Sequence, residues 1–305
     1  MTFIARPKRS AVPAGLFFLA LCLTILAGPA EARLLEPDVD LAGLEVRLAA
    51  LKDDFESSVL GEKEAPQSVR QANSWKTMSL TLAAAVSALE PERYGDRFEL
   101  KQTEVEKIWK DKNLTWDHKA IYAMRFCDES LTRLTVILAD RRQNNEVLTE
   151  FQSLMTLHGV DSTKAIAEPA QLAETKVFWS NRLVALFPLV IKTVAVSSAS
   201  ELDDIVEDLL NRAEIIASRR DIHYQARMEL LYLNNVQSLA NMFFLLATLP
   251  ESSIREAAAD IKNEWELSMR DQDLMVALKV SLSLIAATQM SFNLSLWYVT
   301  GKKTK

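Results

Sequence analysis

Glycine is scarce in this sequence. Seven glycines occur in 305 residues, and two of these lie within the first 32 positions. Sheet-rich folds use glycine in tight turns, and nucleotide-binding folds use it in phosphate loops. The chain also has no glycine-rich phosphate loop and no Gly-x-Ser-x-Gly motif. These absences disfavour nucleotide binding and hydrolase chemistry, and they favour helices joined by short linkers.

Cysteine and histidine are also rare, with two cysteines and three histidines in the chain. Cys22 lies in the N-terminal apolar segment, so Cys127 would be alone in a processed chain and could form no intrachain disulfide. Cys127 belongs to an apolar stripe at helical spacing, which predicts a buried thiol, with a reactive thiol as the alternative. The three histidines, His118, His158 and His223, lack a glutamate three residues earlier and a histidine four residues away. We therefore predict no metal site and no cofactor.

The chain also lacks an excess of basic residues. It has 35 basic and 41 acidic residues, for a net charge of −6. Proteins that bind nucleic acid normally present a basic face, because neutralising phosphates supplies most of their affinity. The acidic balance predicts no nucleic-acid partner, and we interpret it as favouring solubility.

The N-terminal segment has the three parts of a secretory signal peptide. Basic residues from Arg6 to Arg9 precede an uncharged run over 15–27, and Ala30-Glu31-Ala32 supplies a small-x-small cleavage pattern. The run is about half to two-thirds of the roughly 20 residues that span a bilayer. We predict cleavage of 1–32 and export, in a bacterial periplasm because the chain lacks disulfides. An uncleaved membrane anchor is the alternative.

The remaining chain predicts an all-α fold. Apolar residues at helical spacing, with breaks at proline, glycine and capping residues, indicate about ten helices. The predicted segments are 41–59, 67–89, 99–110, 117–143, 145–158, 169–196, 201–218, 221–249, 253–270 and 271–299. Short connections favour an antiparallel multi-helix bundle of about nine to ten helices. A loop near 160–169 divides the chain into halves 33–160 and 161–305, which form either two sub-bundles or one continuous domain.

The last predicted helix contains an uncharged stretch, 280–299, that is long enough to span a membrane. Seven polar side chains interrupt it, which makes insertion unfavourable. We therefore predict a buried soluble helix and no stable membrane span after signal cleavage.

Two C-terminal helices carry polar residues seven positions apart in otherwise apolar surroundings. The candidate residues are Asn234, Ser238, Asn241, Ser281, Thr288 and Gln289. Seven-residue spacing places side chains on one helix face, where polar groups can fix the register between helices. The same line could face water or a protein partner, or it could line a pocket for a small ligand.

Two further features concern the surface. Trp109 and Trp116 flank a charged turn and are candidates for a contact surface, with core packing as the alternative. Asp128 and Glu129 are adjacent in a helix and diverge by about 100°, so they cannot share a catalytic site. We predict that both lie on a solvated face, paired with Arg125 and Arg133.

No stretch of the chain matches a family motif specific enough to transfer residues. The sequence predicts an exported, non-enzymatic helical protein that acts through protein–protein contact in a bacterial envelope. The alternative is a periplasmic carrier or sensor of a small, largely apolar ligand bound between the C-terminal helices. An enzyme whose site is formed across helices is a third possibility.

Overall fold

The computed structural model of the protein describes residues 40–55, 66–142, 145–149, 152, 172–194, 199–247, 263 and 270. These residues are helical apart from short turns and contain no strand, as predicted. Eight helices have defined bounds: α1 (Leu41–Phe55), α2 (Gln67–Leu89), α3 (Pro91–Tyr94), α4 (Arg97–Lys110), α5 (Trp116–Arg142), α6 (Leu172–Val194), α7 (Ala199–Ser218) and α8 (Tyr224–Ala247).

Local sequence signals explain where helices begin and end. At the start of α1, the Asp40 carboxylate accepts a hydrogen bond of 2.8 Å from the Gly43 backbone N–H, which satisfies one of the free donors of the first turn. A Cβ atom at position 43 would lie too close to this carboxylate, so a larger residue there would require the Asp40 side chain to shift. Pro91 is the first residue of α3, where its missing N–H costs no hydrogen bond.

Helix α2 occupies the centre of the N-terminal part of the fold. It packs against α1, α4 and α5, and every residue from Thr77 to Leu89 is buried. This segment consists of small and aliphatic residues and has no charged side chain. A helix that is apolar on all sides needs neighbours on all sides, which explains its central position.

Hydrogen bonds and ion pairs define the direction of several neighbouring helices. Asp40 contacts Ala88 and Asp54 contacts Lys76, so α1 and α2 are antiparallel. In contrast, Asp117 pairs with Lys176 and Asp128 pairs with Arg182. The two partners on α6 follow the same order along the chain as the two aspartates on α5, so α5 and α6 are parallel. The long connection over 143–171 is compatible with this arrangement.

One hydrophobic core cluster extends through the part of the chain that the structure describes. It includes Leu44 of α1, Leu209 of α7 and Met242 of α8, together with residues of the helices between them. α6 provides the link, because it packs on both α5 and α8.

No helix within the described ranges is both long and apolar enough to cross a membrane. The uncharged stretch 280–299 lies outside these ranges, as do the predicted signal peptide and cleavage site.

Candidate functional site

Asn234 and Ser238 lie in the interior on α8. The Asn234 amide nitrogen donates a hydrogen bond of 2.9 Å to the Leu209 carbonyl oxygen of α7. The Ser238 hydroxyl donates to the Asn234 carbonyl oxygen at 3.1 Å. Both side chains are less than 7% exposed. Their hydrogen-bonding groups therefore make contacts within the protein.

The other residues of the predicted polar line are placed differently. Asn241 is half-buried, and its side-chain oxygen accepts a hydrogen bond of 3.1 Å from the exposed Gln237. Asn241 is therefore less buried than Asn234 and Ser238. The three candidates Ser281, Thr288 and Gln289 lie outside the described residues.

The structure reveals an interior amide that the sequence reasoning missed. Asn235 is 1% exposed, and its amide nitrogen donates to the Ser180 hydroxyl and to the Asn181 side-chain oxygen, both at 2.8 Å. Asn234 and Asn235 diverge by about 100° on α8, so one contacts α7 and the other contacts α6. The sequence signal for Asn235 is a pair of consecutive asparagines in an otherwise apolar helix. The seven-residue spacing includes only the first of them, Asn234.

The prediction of a solvated face is wrong for Asp128. Its side chain is 7% exposed and forms an ion pair with Arg182, whose side chain is 1% exposed. Arg182 Nε lies 2.5 Å from Asp128 Oδ1, and the pair joins α5 to α6. The physical reason is that both α2 and α6 cover α5, which makes its buried face wider than a single apolar stripe.

Burial dominates the electrostatics of Asp128. Removing the carboxylate from water raises its pKa to about 6, although the charge and the hydrogen bond of Arg182 act in the opposite direction. The neutral form is therefore populated at mildly acidic pH, unlike that of an ordinary aspartate. A buried group with such a perturbed pKa is a candidate for a functional role.

These contacts connect four helices, and we refer to them as the polar chain. Arg182, Asn181 and Ser180 are consecutive on α6, where the first contacts α5 and the other two contact α8. Its members are Asp128, Arg182, Asn181, Ser180, Asn235 and Asn234. The polar chain extends from the long N-terminal helix α5 to the Leu209 backbone of α7.

Glu129, the neighbour of Asp128, lies in a second electrostatic cluster. Arg133 pairs with it at 2.9 Å, as predicted, and Lys101 of α4 pairs with it at 3.1 Å. Arg97 also contacts it. Burial lowers the pKa of both Lys101 and Arg97. The Lys101 ammonium also lies 3.9 Å from the centre of the Phe126 ring. This cluster fastens α4 to α5, and its cations already have carboxylate partners.

Trp109 and Trp116 are half-buried and pack against the hydrophobic core. The Trp109 indole nitrogen donates a hydrogen bond of 2.9 Å to Asn73 of α2. Lys119 brings the two tryptophans together, because it donates to the Trp109 carbonyl oxygen at 2.8 Å and lies 4.6 Å from the Trp116 ring centre. Both rings keep some exposed surface, so a role in contact stays a prediction.

Cys127 is completely buried, in agreement with the predicted core position. Burial, with a further contribution from the Asp128 charge, raises the pKa of its thiol well above the usual value. A thiol that resists ionisation is a poor nucleophile. Within the described ranges, no group of three or more histidine, cysteine or acidic side chains is arranged to hold a metal ion.

Among the described residues, large apolar side chains are exposed at two places. Val46 of α1 and Leu100 of α4 are 70% and 57% exposed, and they adjoin the Arg47–Glu99 ion pair that joins these helices. On the α7–α8 hairpin, three aliphatic side chains are exposed: Ile215, Leu230 and Leu233. Leu230 and Leu233 are three residues apart and therefore share one face of α8.

No family model matches the chain, and no curated protein and no solved structure is significantly similar to it.

Proposed function

We propose that this protein is an exported, non-enzymatic helical protein that acts through protein–protein contact in a bacterial envelope. The N-terminal segment supports export. The observation that carries the contact proposal is the pair of exposed leucines on α8, which are 37% and 48% exposed at positions 230 and 233. Exposed apolar side chains grouped on one face are typical of surfaces that bind another protein.

The geometry of the α7–α8 hairpin supports this surface. Asn234 contacts the Leu209 backbone and Arg227 contacts the Ala217 backbone, so the helices are antiparallel with a fixed register. Leu230 and Leu233 therefore project from a hairpin that is held by the buried Asn234 contact and the exposed Arg227 contact. A preorganised surface loses less conformational entropy on binding.

The contact surface can be tested by cross-linking in the native envelope. A photo-reactive residue at position 233 is expected to form a specific cross-linked product, whereas one at the exposed Gln102 of α4 serves as the control. Replacing both leucines, as L230S/L233S, should abolish the interaction and change the free energy of unfolding by less than about 1 kcal/mol, because both sites are exposed. V46S is the matched apolar control and should retain the interaction. Equal binding by L230S/L233S would refute this surface.

Export has its own test. N-terminal sequencing of protein from the envelope should give Arg33 as the first residue. A chain that begins at Met1 and remains with the membrane fraction would establish the anchored alternative instead.

The alternative proposal, a carrier or sensor of a small apolar ligand, rests on the polar line of the C-terminal helices. Asn234 and Ser238 make hydrogen bonds within the protein, which favours the contact proposal. Native mass spectrometry of protein purified from its own envelope distinguishes the two. A retained small molecule, lost on substitution of Thr288 and Gln289, would favour the carrier, and a retained protein would favour the contact function.

We also propose that the complete mature chain forms a bundle of nine to ten helices. Seven of the eight defined helices correspond to predicted segments, and the four-residue α3 is an additional short helix that this number does not include. The predicted segments 145–158, 253–270 and 271–299 would supply the remainder. Helix content measured by circular dichroism should then clearly exceed that of the eight defined helices alone.

A further inference from the structure

We propose that the buried Asp128–Arg182 pair makes the packing of α5 against α6 and α8 responsive to pH, so that these helices hold together more tightly in mild acid than at neutral pH. This goes beyond the proposed contact function and does not depend on it. The inference rests on the position of the pair, the polar chain to which it belongs, and the few charges around it.

The pair lies where two parts of the protein meet. Asp128 and Arg182 are buried between α5 and α6, with side chains 7% and 1% exposed. The two residues that precede Arg182 bind Asn235 of α8 through hydrogen bonds of 2.8 Å. Any separation of α5 from α6 that hydrates Asp128 would therefore also disturb the contact between α6 and α8.

Among the described residues, the neighbouring helices present few other charges to Asp128. On α6, Arg182 contacts it, and Lys176 is paired with Asp117. Lys192 is also buried on this helix, ten positions beyond Arg182. α2 has no charged residue over 77–89, and α8 contributes the neutral Asn235.

The remaining charges belong to α4 and α5. Lys101 of α4 faces α5 but is engaged by Glu104 and Glu129. On α5 itself, Arg125 lies three residues before Asp128, and Glu129 pairs with Arg133. Burial, with a further contribution from the charge of Asp128, raises the pKa of the neighbouring Cys127 thiol, which is therefore uncharged at neutral pH.

The direction of the pH effect follows from the difference between the pKa of Asp128 in the packed state and its pKa in the opened state. In the packed state burial raises the pKa of Asp128 to about 6, whereas in an opened, hydrated state it should be near the ordinary value of about 3.9. The packed state therefore binds the proton more strongly, and acid favours it. Between pH 5 and pH 7 the ratio of opened to packed molecules should rise about tenfold.

Amide hydrogen exchange of the full chain tests this proposal. Protection factors, corrected for the intrinsic effect of pH, should be about tenfold higher at pH 5 than at pH 7 for amides near 180–186 of α6 and 231–238 of α8. D128N should abolish this pH dependence. D117N is the matched control, because Asp117 also joins α5 to α6 but is 47% exposed, and it should retain the dependence.

Two outcomes would overturn the proposal. Protection that is independent of pH in the wild type, or higher at pH 7, would show that the pair does not respond as inferred. An equal loss of pH dependence in D117N and D128N would assign the effect to general electrostatics. The wild-type and D117N profiles are sufficient for this decision even if D128N does not fold.

Discussion

The centre of α2 and the contacts that α6 makes with α5 and α8 are held together by different kinds of interaction. In the N-terminal part, α2 is surrounded by other helices and buries an uncharged segment of small and aliphatic residues. In the C-terminal part, α6 and α8 bury Arg182, Asn234 and Asn235 among apolar neighbours. The stability that apolar packing provides does not depend on pH, and it tolerates substitutions that conserve side-chain volume. A buried polar group, in contrast, costs stability when its hydrogen-bonding partner is removed.

The two regions should respond differently to substitution. A cavity in α2 should cost stability by the same amount at any pH. A broken contact in the polar chain should leave a buried polar group without its partner, and where Asp128 is involved the cost should depend on pH.

Arg182→Met should give the largest loss, about 3–5 kcal/mol of unfolding free energy at pH 7, because it leaves Asp128 buried without its charged partner. Urea denaturation measures the change. The double variant D128L/R182M should recover most of the loss, since neither charge then remains inside. A double variant as unstable as R182M would show that the pair acts through shape instead of charge.

Leu82→Ala in α2 should lose about 2–5 kcal/mol, because Leu82 is completely buried and the helix around it leaves little room to collapse. The loss should be equal at pH 5 and pH 7 when measured by urea denaturation. A pH-dependent loss at this position would remove the proposed contrast between the regions.

Asn235→Ala should lose about 1–3 kcal/mol, because Ser180 and Asn181 would lose a buried hydrogen-bond donor. Asn241→Ala, at a half-buried position of the same helix, is the matched control and should change stability by less than about 0.5 kcal/mol. Thermal unfolding of the two variants should rank them in this order, and the reverse order would place the important amide at position 241.

Much of the helical layout could be predicted from the sequence. The predicted helix 67–89 has the observed bounds of α2, and the predicted segments 117–143 and 201–218 agree with α5 and α7 within two residues. Proline, glycine and capping residues act on the adjacent backbone, so their effect can be read locally.

The position of Asp128 could not be predicted in the same way. The apolar stripe through Cys127 indicates one buried face of α5, and Asp128 lies at its border. Whether that border is exposed depends on how many helices cover α5, which is a property of tertiary packing. Arg182 is also 54 residues away from Asp128 in the sequence, and no local pattern links the two residues.

The burial of the candidate polar residues on α8 could not be predicted from the sequence for a similar reason. Seven-residue spacing grouped Asn234 with Asn241, yet the structure buries the first and leaves the second half-buried. The partner of Asn234 is a backbone carbonyl of α7, and the register of the hairpin determines this contact. Side-chain spacing in one helix does not contain that information.

Burial between α5 and α6 favours the neutral form of Asp128, although its partner Arg182 acts in the opposite direction. The pKa of Asp128 is raised to about 6 in the folded state, so its contribution to stability is full below about pH 3.9 and is lost as the pH rises through 6. The most direct test compares the unfolding free energies of wild type and D128N at pH 5 and pH 7. Relative to wild type, D128N should gain about 1 kcal/mol of stability between pH 5 and pH 7. A difference that stays constant, or that falls as the pH rises, would contradict the account.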